Sequence, residues 1–174
     1  MTSDALTIRP VVPDGGILIA DSESDTCLVA FAAMHTAVTM PPFELLRVSE
    51  GLPVVRILLR DLDNTWYLRG IHGLGDDVSS TVEALGALLD ERGVTRTICF
   101  GNSAGGYAAL LYGSLLGADA IHAFAAQTNM NKAFWDRNQL VASMQETTAL
   151  WASVEPSEPG LDLRPTVAEA AVPV

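Results

Sequence analysis

Residues 97–106 read TICFGNSAGG, and this stretch decides the fold. Residues 97–100 form a short apolar run that predicts a buried strand. Ser103 follows at once in a Gly-x-Ser-x-Gly pattern, and residues 104–116 are small or apolar with no helix breaker before position 113. A strand, a serine between glycines and a helix in direct succession predict a sharp turn with Ser103 at its tip.

Each small residue of this turn has a physical role. Side chains at Gly101 or Gly105 would collide across the turn, and Gly106 allows the helix to pack closely on its neighbours. The strained turn carries the Ser103 hydroxyl beyond the ends of the strands, where the first N–H groups of the helix point. Ser103 is therefore a candidate nucleophile, and the N–H of Ala104 is a candidate oxyanion donor. The pattern lacks the Lys and Ser or Thr that a phosphate-binding Walker loop requires after its second glycine.

The rest of the chain alternates between strand and helix patterns. Further β-like or apolar runs lie at 7–12, 16–20, 27–33, 53–59 and 120–125, and helical patterns lie at 43–48, 80–89 and 132–151. Ser80 and Glu83 have the spacing of a capping box at the start of one helix, and Asp76 and Asp77 are expected to precede and cap that helix. This alternation predicts the α/β class, with a mostly parallel sheet and helices on both faces. We expect residues 1–155 to form the domain and the Pro-rich residues 156–174 to form a loop-like C-terminal segment.

Length, charge and cysteine content limit the function classes. The chain has 174 residues, enough for one domain, and a formal net charge of −11, which disfavours binding to nucleic acid. No apolar stretch is long enough to span a membrane, and the N-terminus lacks the pattern of a signal peptide, so we expect a cytoplasmic protein. Cys27 and Cys99 lie in strand-like runs and are expected to be buried, reduced thiols. Nothing in the sequence predicts a metal site or a cofactor.

Several of these segments resemble a known family. Residues 98–110 resemble the nucleophile elbow of the α/β-hydrolase superfamily. Four further segments resemble a bacterial group of α/β-hydrolase-like proteins: residues 59–61, 66–67, 70–75 and 123–128. Together the resemblance covers roughly residues 27–165. The resemblance to the superfamily implies a serine nucleophile, an acid after a later strand and a histidine after the last strand. A second oxyanion donor is implied in the loop after the third strand, near Ala33, Met34 or His35, although this loop lacks the His-Gly-Gly-Gly pattern of lipases.

The acid and the base of a hydrolase are not apparent in this sequence. The one histidine after Ser103 is His122, which lies within a predicted strand and comes too early for the usual base. A complete hydrolase would continue through two further strands, so we expect the fold to be C-terminally incomplete. The candidate bases are His72 and His35, although a structural role is the simpler interpretation of each. His72 lies in a glycine-rich loop after the strand that ends at Leu59, and we expect this loop near the active edge of the sheet, within reach of Ser103; His35 follows the third strand.

The sequence leaves two hypotheses open. The first is an esterase-like or thioesterase-like serine hydrolase, or an acyltransferase, that acts on a small acyl substrate through Ser103. Asn102, beside Ser103, is a further candidate oxyanion or binding residue. The second is a catalytically inactive or truncated module that binds a small ligand or a partner protein. An exposed sheet edge after Ala125 would favour a homodimer or pairing with a complementing chain.

Overall fold

A computed structural model describes residues 8–10, 15–34, 43, 45–138, 145–155 and 160–170. Within these residues six strands form one sheet in the order β1-β2-β4-β3-β5-β6. The strands are β1 (Ile8–Pro10), β2 (Ile17–Ala20), β3 (Thr26–Phe31), β4 (Val55–Leu59), β5 (Arg96–Asn102) and β6 (Ala120–Phe124). β1 and β2 are antiparallel to their neighbours, whereas β3 to β6 are parallel. The predicted α/β class and the mostly parallel sheet are confirmed.

Five helices lie in the same described residues. They are α1 (Val78–Glu91), α2 (Ala104–Leu116), α3 (Lys132–Arg137), α4 (Gln145–Ser153) and α5 (Arg164–Glu169). α1 begins earlier than the Ser80–Glu83 spacing predicts, whereas the expectation of a cap at Asp76 or Asp77 is confirmed for Asp77. Its N-cap is Asp77, whose carboxylate accepts the N–H of Ser80 at 2.7 Å, while the Ser80 hydroxyl accepts the Asp77 N–H at 3.2 Å. The cap therefore satisfies two backbone donors with the pair Asp77–Ser80.

The core lies on both faces of the sheet. On one face α2 packs so closely that a Cβ on Gly113 would lie 2.9 Å from the side chain of Ile121, and α1 adds Leu85 and Leu89 to the same cluster. On the other face Leu18, Ala30 and Leu58 form a smaller cluster, against which Phe43, Leu45 and Leu46 pack. A short helix was expected at residues 43–48, but residues 45–48 form turns instead.

The C-terminal segment departs from expectation. Residues 156–174 were predicted to be loop-like, but they contain α5, and Leu161 and Leu163 are buried in the main core. The backbone N–H of Met130 donates to the carbonyl of Leu161 at 2.6 Å. The side chains of Leu161 and Leu163 thus attach this segment to the core beside the loop after β6. The composition of residues 156–174 did not predict this, because the contact joins residues that are far apart in the chain.

Cys27 and Cys99 are both free and fully buried, as predicted. Burial raises the pKa of each thiol to about 12, so both remain protonated. None of the helices in the described part of the chain is long and apolar enough to cross a membrane.

Candidate active site

Ser103 stands between β5 and α2 in a backbone conformation that L-residues rarely adopt. Its φ is 54° and its ψ is −121°. Its N–H donates to the carbonyl of Phe124 on β6 at 2.8 Å, and its carbonyl accepts the N–H of Tyr107 at 3.0 Å. Because the surrounding hydrogen bonds hold this conformation, the strain is retained where the strand becomes a helix.

Three glycines make this turn sterically possible. A Cβ on Gly101 would lie 2.0 Å from the carbonyl oxygen of Gly105. A Cβ on Gly105 would lie 2.1 Å from the carbonyl oxygen of Phe31, and one on Gly106 would lie 2.8 Å from that of Phe124. Side chains at these positions would therefore displace the backbone of β3, of β6 or of the turn itself.

The residues flanking Ser103 combine a half-exposed hydroxyl with free helix donors. Ser103 is half-buried, Asn102 is exposed, and the side chain of Ala104 is fully buried. Ala104 is the first residue of α2, so its N–H has no acceptor within the helix. A serine hydroxyl and a backbone donor thus stand side by side at the positive end of the helix dipole.

The loop after β3 lies against the first turn of α2. The Cβ position of Gly105 lies 2.7 Å from the carbonyl oxygen of Ala32. Ala33 is half-buried and Met34 is buried. Residues 32–34, which we call the oxyanion loop after the role that the resemblance implies, therefore adjoin the helix that starts beside Ser103.

A buried tyrosine that the sequence did not single out holds this loop. The Tyr67 hydroxyl donates to the carbonyl of Ala32 at 2.8 Å and lies 3.3 Å from that of Leu59. Tyr67 is fully buried and has a φ of 62°. Its residue type gives no sequence signal, because 35 residues separate donor and acceptor.

Asp61 anchors the backbone that presents Tyr67. Its carboxylate accepts the N–H groups of Asp63 at 3.1 Å, Thr65 at 2.5 Å and Tyr67 at 2.9 Å. Burial raises the pKa of Asp61, although the three N–H donors oppose that rise. The carboxylate of Asp61 therefore holds the backbone of residues 63–67.

The histidines occupy different parts of the sheet. His72 is exposed, and its carbonyl oxygen lies 3.2 Å from the Cβ position of Gly16, just before β2. That is the predicted edge of the sheet, but β2 is three strands from β5, about 14 Å at the usual strand spacing. The structure therefore does not bring His72 beside Ser103.

His122 is exposed on β6, opposite Phe100. Neither His72 nor His122, the two histidines in the part of the chain that the structure describes, forms a hydrogen bond with Ser103. His35, the other candidate base, lies outside the described residues.

No protein-family model matches the sequence, and no curated protein matches it. Solved structures do match. The substrate-bound, fluorophosphonate-binding serine hydrolase F of Staphylococcus aureus is 11% identical over 95% of this chain and 73% of that chain, with a TM-score of 0.59. The capsule O-acetyltransferase of Neisseria meningitidis serogroup A, in complex with CoA, is 12% identical over 89% of this chain and 66% of that one, with a TM-score of 0.54. Acetyl xylan esterase 1 from Thermoanaerobacterium is 15% identical over 88% of this chain and 60% of that one, with a TM-score of 0.52.

The sheet order, the turn at Ser103 and these neighbours define an α/β-hydrolase-like fold. The chain spans 66% of the length of the acetyltransferase and 60% of that of the esterase. At these identities the likeness concerns the fold alone.

Proposed function

We propose that this protein is a serine-dependent acyl hydrolase or acyltransferase that acts on a small ester or thioester. The observation that carries the proposal is the strained backbone of Ser103, with φ 54° and ψ −121°, at the junction of β5 and α2. Retained strain at a half-exposed hydroxyl next to helix N–H groups is typical of a nucleophile position. The glycines at 101, 105 and 106, which the turn sterically requires, support the same interpretation.

The reaction proceeds through an acyl-enzyme. The Ser103 Oγ attacks the substrate carbonyl carbon and gives its proton to a base, and the N–H groups of Ala104 and of the Ala33–Met34 region hold the resulting oxyanion. The bond to the leaving group then breaks, and the leaving oxygen or sulfur takes that proton back. Water or an acceptor hydroxyl next attacks the acyl-enzyme, which frees Ser103.

His35 is the base that we favour within this chain. It directly follows Met34, the last residue of the oxyanion loop, and that loop adjoins the first turn of α2. His72 is the weaker candidate because three strand spacings separate its loop from Ser103.

The structural neighbours support this reaction class. A serine hydrolase, an acetyl esterase and an O-acetyltransferase share the fold, and the names of the last two describe acetyl removal or transfer. The fold therefore suits either water or another hydroxyl as the final acceptor.

A fluorophosphonate probe tests the nucleophile. The probe is incubated with the wild-type protein, and the adduct is located by mass spectrometry. We expect labelling at Ser103 that Ser103→Ala abolishes and that Ser79→Ala, a change at an exposed serine of α1, leaves unchanged. A folded wild-type protein without an adduct at Ser103 would contradict the proposal.

The base is tested separately with His35→Gln and His72→Gln. We expect His35→Gln to slow labelling of Ser103 by a factor of about 100, the range of general-base catalysis, and His72→Gln to leave the rate unchanged. A wild-type labelling rate in His35→Gln would remove His35 as the base but leave Ser103 as the nucleophile.

A second candidate function is a hydrolase-like module that binds a small ligand or a partner protein without turnover. One observation favours it: neither His72 nor His122 forms a hydrogen bond with Ser103. The fluorophosphonate experiment separates the two functions, because a serine without a base reacts poorly with the probe.

We also infer that the outer edge of β6 pairs with a second copy or a complementing chain. β6 is the last strand of the sheet that the described residues form, and Phe124 on it is 53% exposed. An unpaired edge bearing an exposed aromatic side chain favours association. Sedimentation velocity tests this inference: a dimer that Phe124→Lys dissociates supports it, and a monomer at all concentrations contradicts pairing of two copies.

A further inference from the structure

Tyr67 joins three parts of the fold that meet near Ser103. Its hydroxyl donates to the carbonyl of Ala32 at 2.8 Å, and its own carbonyl accepts the hydroxyl proton of Tyr112 at 2.7 Å. Its ring meets that of Phe31 edge-on, with the ring centres 5.6 Å apart. Tyr67 thus connects the loop after β4, the end of β3 and helix α2.

The local backbone is strained in a way that places this hydroxyl. Asn64, Trp66 and Tyr67 all have positive φ values, of 53°, 54° and 62°. The buried carboxylate of Asp61 binds the N–H of Tyr67 at 2.9 Å and holds the loop in this conformation. Three non-glycine residues in the left-handed region within four positions are unusual, and such strain persists only where surrounding contacts enforce it.

The contact at Ala32 falls on the residue that precedes the candidate oxyanion donors. Because a peptide unit is planar, fixing the carbonyl of Ala32 also fixes the direction of the N–H of Ala33. The N–H of Ala32 is fixed as well, since it donates to the carbonyl of Leu59 at 2.8 Å. Both polar groups on the main chain of Ala32 are therefore held before the chain reaches Met34.

We propose that Tyr67 is a positioning residue, whose hydroxyl sets the orientation of the oxyanion loop through the carbonyl of Ala32. The inference rests on the proposed function, because it concerns stabilisation of the oxyanion formed at Ser103. Tyr67 does not touch the substrate. It aligns the N–H groups of Ala33 and Met34 with the position where the negative charge develops, which strengthens binding of the transition state rather than of the ester.

The variant Tyr67→Phe removes the hydroxyl and keeps the ring on Phe31. With p-nitrophenyl acetate as the substrate, we expect kcat to fall about tenfold and KM to stay within about twofold. Loss of a complete oxyanion donor lowers kcat by about 10²–10³, and a misaligned donor loses part of that. The rate of fluorophosphonate labelling of Ser103 should fall in parallel.

Tyr107→Phe is the matched control. It also removes one buried hydroxyl that donates to a backbone carbonyl, but that carbonyl belongs to Gly160, which is part of neither the oxyanion loop nor the loop of Tyr67. We expect a similar fall in Tm for both variants and a wild-type kcat for Tyr107→Phe. Asp61→Asn is a second test, because it loosens the backbone of Tyr67 and leaves the hydroxyl and Ala32 chemically intact. We expect it to lower kcat selectively, by less than Tyr67→Phe does.

The outcomes separate this inference from the proposed function. A wild-type protein that the fluorophosphonate probe does not label overturns both. Labelling at Ser103 together with a wild-type kcat for Tyr67→Phe overturns the positioning role alone. Equal losses of kcat in Tyr67→Phe and Tyr107→Phe also overturn it, because they would reflect general packing. If Tyr67→Phe does not fold, a wild-type kcat for Asp61→Asn overturns the role.

Discussion

Replacing Ser103 by glycine should stabilise the protein relative to Ser103→Ala, although both variants remove the candidate nucleophile. The reason lies in the backbone, where φ is 54° and ψ is −121°. A Cβ in this region clashes with neighbouring main-chain atoms, whereas glycine has no Cβ and enters the region freely. Comparing glycine with alanine removes the effect of the hydroxyl from the measurement.

The magnitude follows from two opposing terms. A non-glycine residue in such a conformation raises the free energy of the folded state by about 1–3 kcal/mol. Glycine in turn gains about 0.5–1 kcal/mol more conformational entropy in the unfolded chain than alanine does. The net expectation is that Ser103→Gly is more stable than Ser103→Ala by about 1 kcal/mol, which is about 2–4 °C in Tm for a chain of this size.

The assay is urea denaturation followed by circular dichroism, with Tm measured in parallel. Ala87→Gly, at an exposed position in the middle of α1, provides the control. There glycine should destabilise the protein by about 1 kcal/mol, because the backbone is an ordinary helix. The preference for glycine over alanine should therefore reverse between positions 87 and 103. If Ser103→Gly is less stable than Ser103→Ala, the strained turn is refuted.

Three further changes test the surroundings of the site. Gly105→Ala would place a Cβ 2.1 Å from the carbonyl oxygen of Phe31, so it should destabilise the protein by about 3 kcal/mol and abolish fluorophosphonate labelling of Ser103. A Cβ at Gly86 meets nothing within 4 Å, so Gly86→Ala, the control, should stabilise the protein by about 1 kcal/mol. If urea denaturation shows a change of the same sign in both variants, the steric argument is wrong. Asp61→Asn should lower the free energy of unfolding by about 1–3 kcal/mol, because an amide NH₂ would face backbone donors, and an unchanged urea midpoint would count against the network. The hydrogen bond from the Ser80 side chain lowers the pKa of Asp77. The Asp77 carboxylate therefore stabilises the folded state above the unfolded-state pKa of about 3.9, and this stabilisation is lost as the pH falls through the lower folded-state pKa. The Tm of the wild-type protein should therefore exceed that of Asp77→Asn at pH 7, with the difference vanishing in acid; a difference independent of pH would show that the charge has no role.

Local patterns predicted much of the candidate site. The turn at Ser103 depends on residues 101–106, which are neighbours in the chain. The small size of their side chains is therefore enough to predict the backbone conformation of the turn. α2 begins and ends where the run of small and apolar residues predicts, at Ala104 and Leu116. The start of α1 was predicted less well, because Asp77, Ser80 and Glu83 all offer capping chemistry and only the path of the incoming backbone selects among them.

The distance across the sheet between the His72 loop and Ser103 could not be predicted in the same way. The sequence places the loop of His72 at the edge of the sheet where parallel strands end, but it does not say how many strands separate that loop from Ser103. That number depends on strand order, because β2 pairs with β4 and not with β3. Strand order arises from pairing between distant residues, which leaves no trace in the local periodicity.

By itself, the sequence determined the α/β class, the strained turn at Ser103 and its flanking glycines, because each depends on side-chain size and hydrophobicity within a few residues. The tertiary structure alone decided that Tyr67 reaches the carbonyl of Ala32, that Leu161 and Leu163 complete the core and that His72 stands apart from Ser103. These three results depend on which distant segments the sheet brings side by side. Such contacts form only when burial of apolar surface offsets the entropy lost in closing the intervening loops.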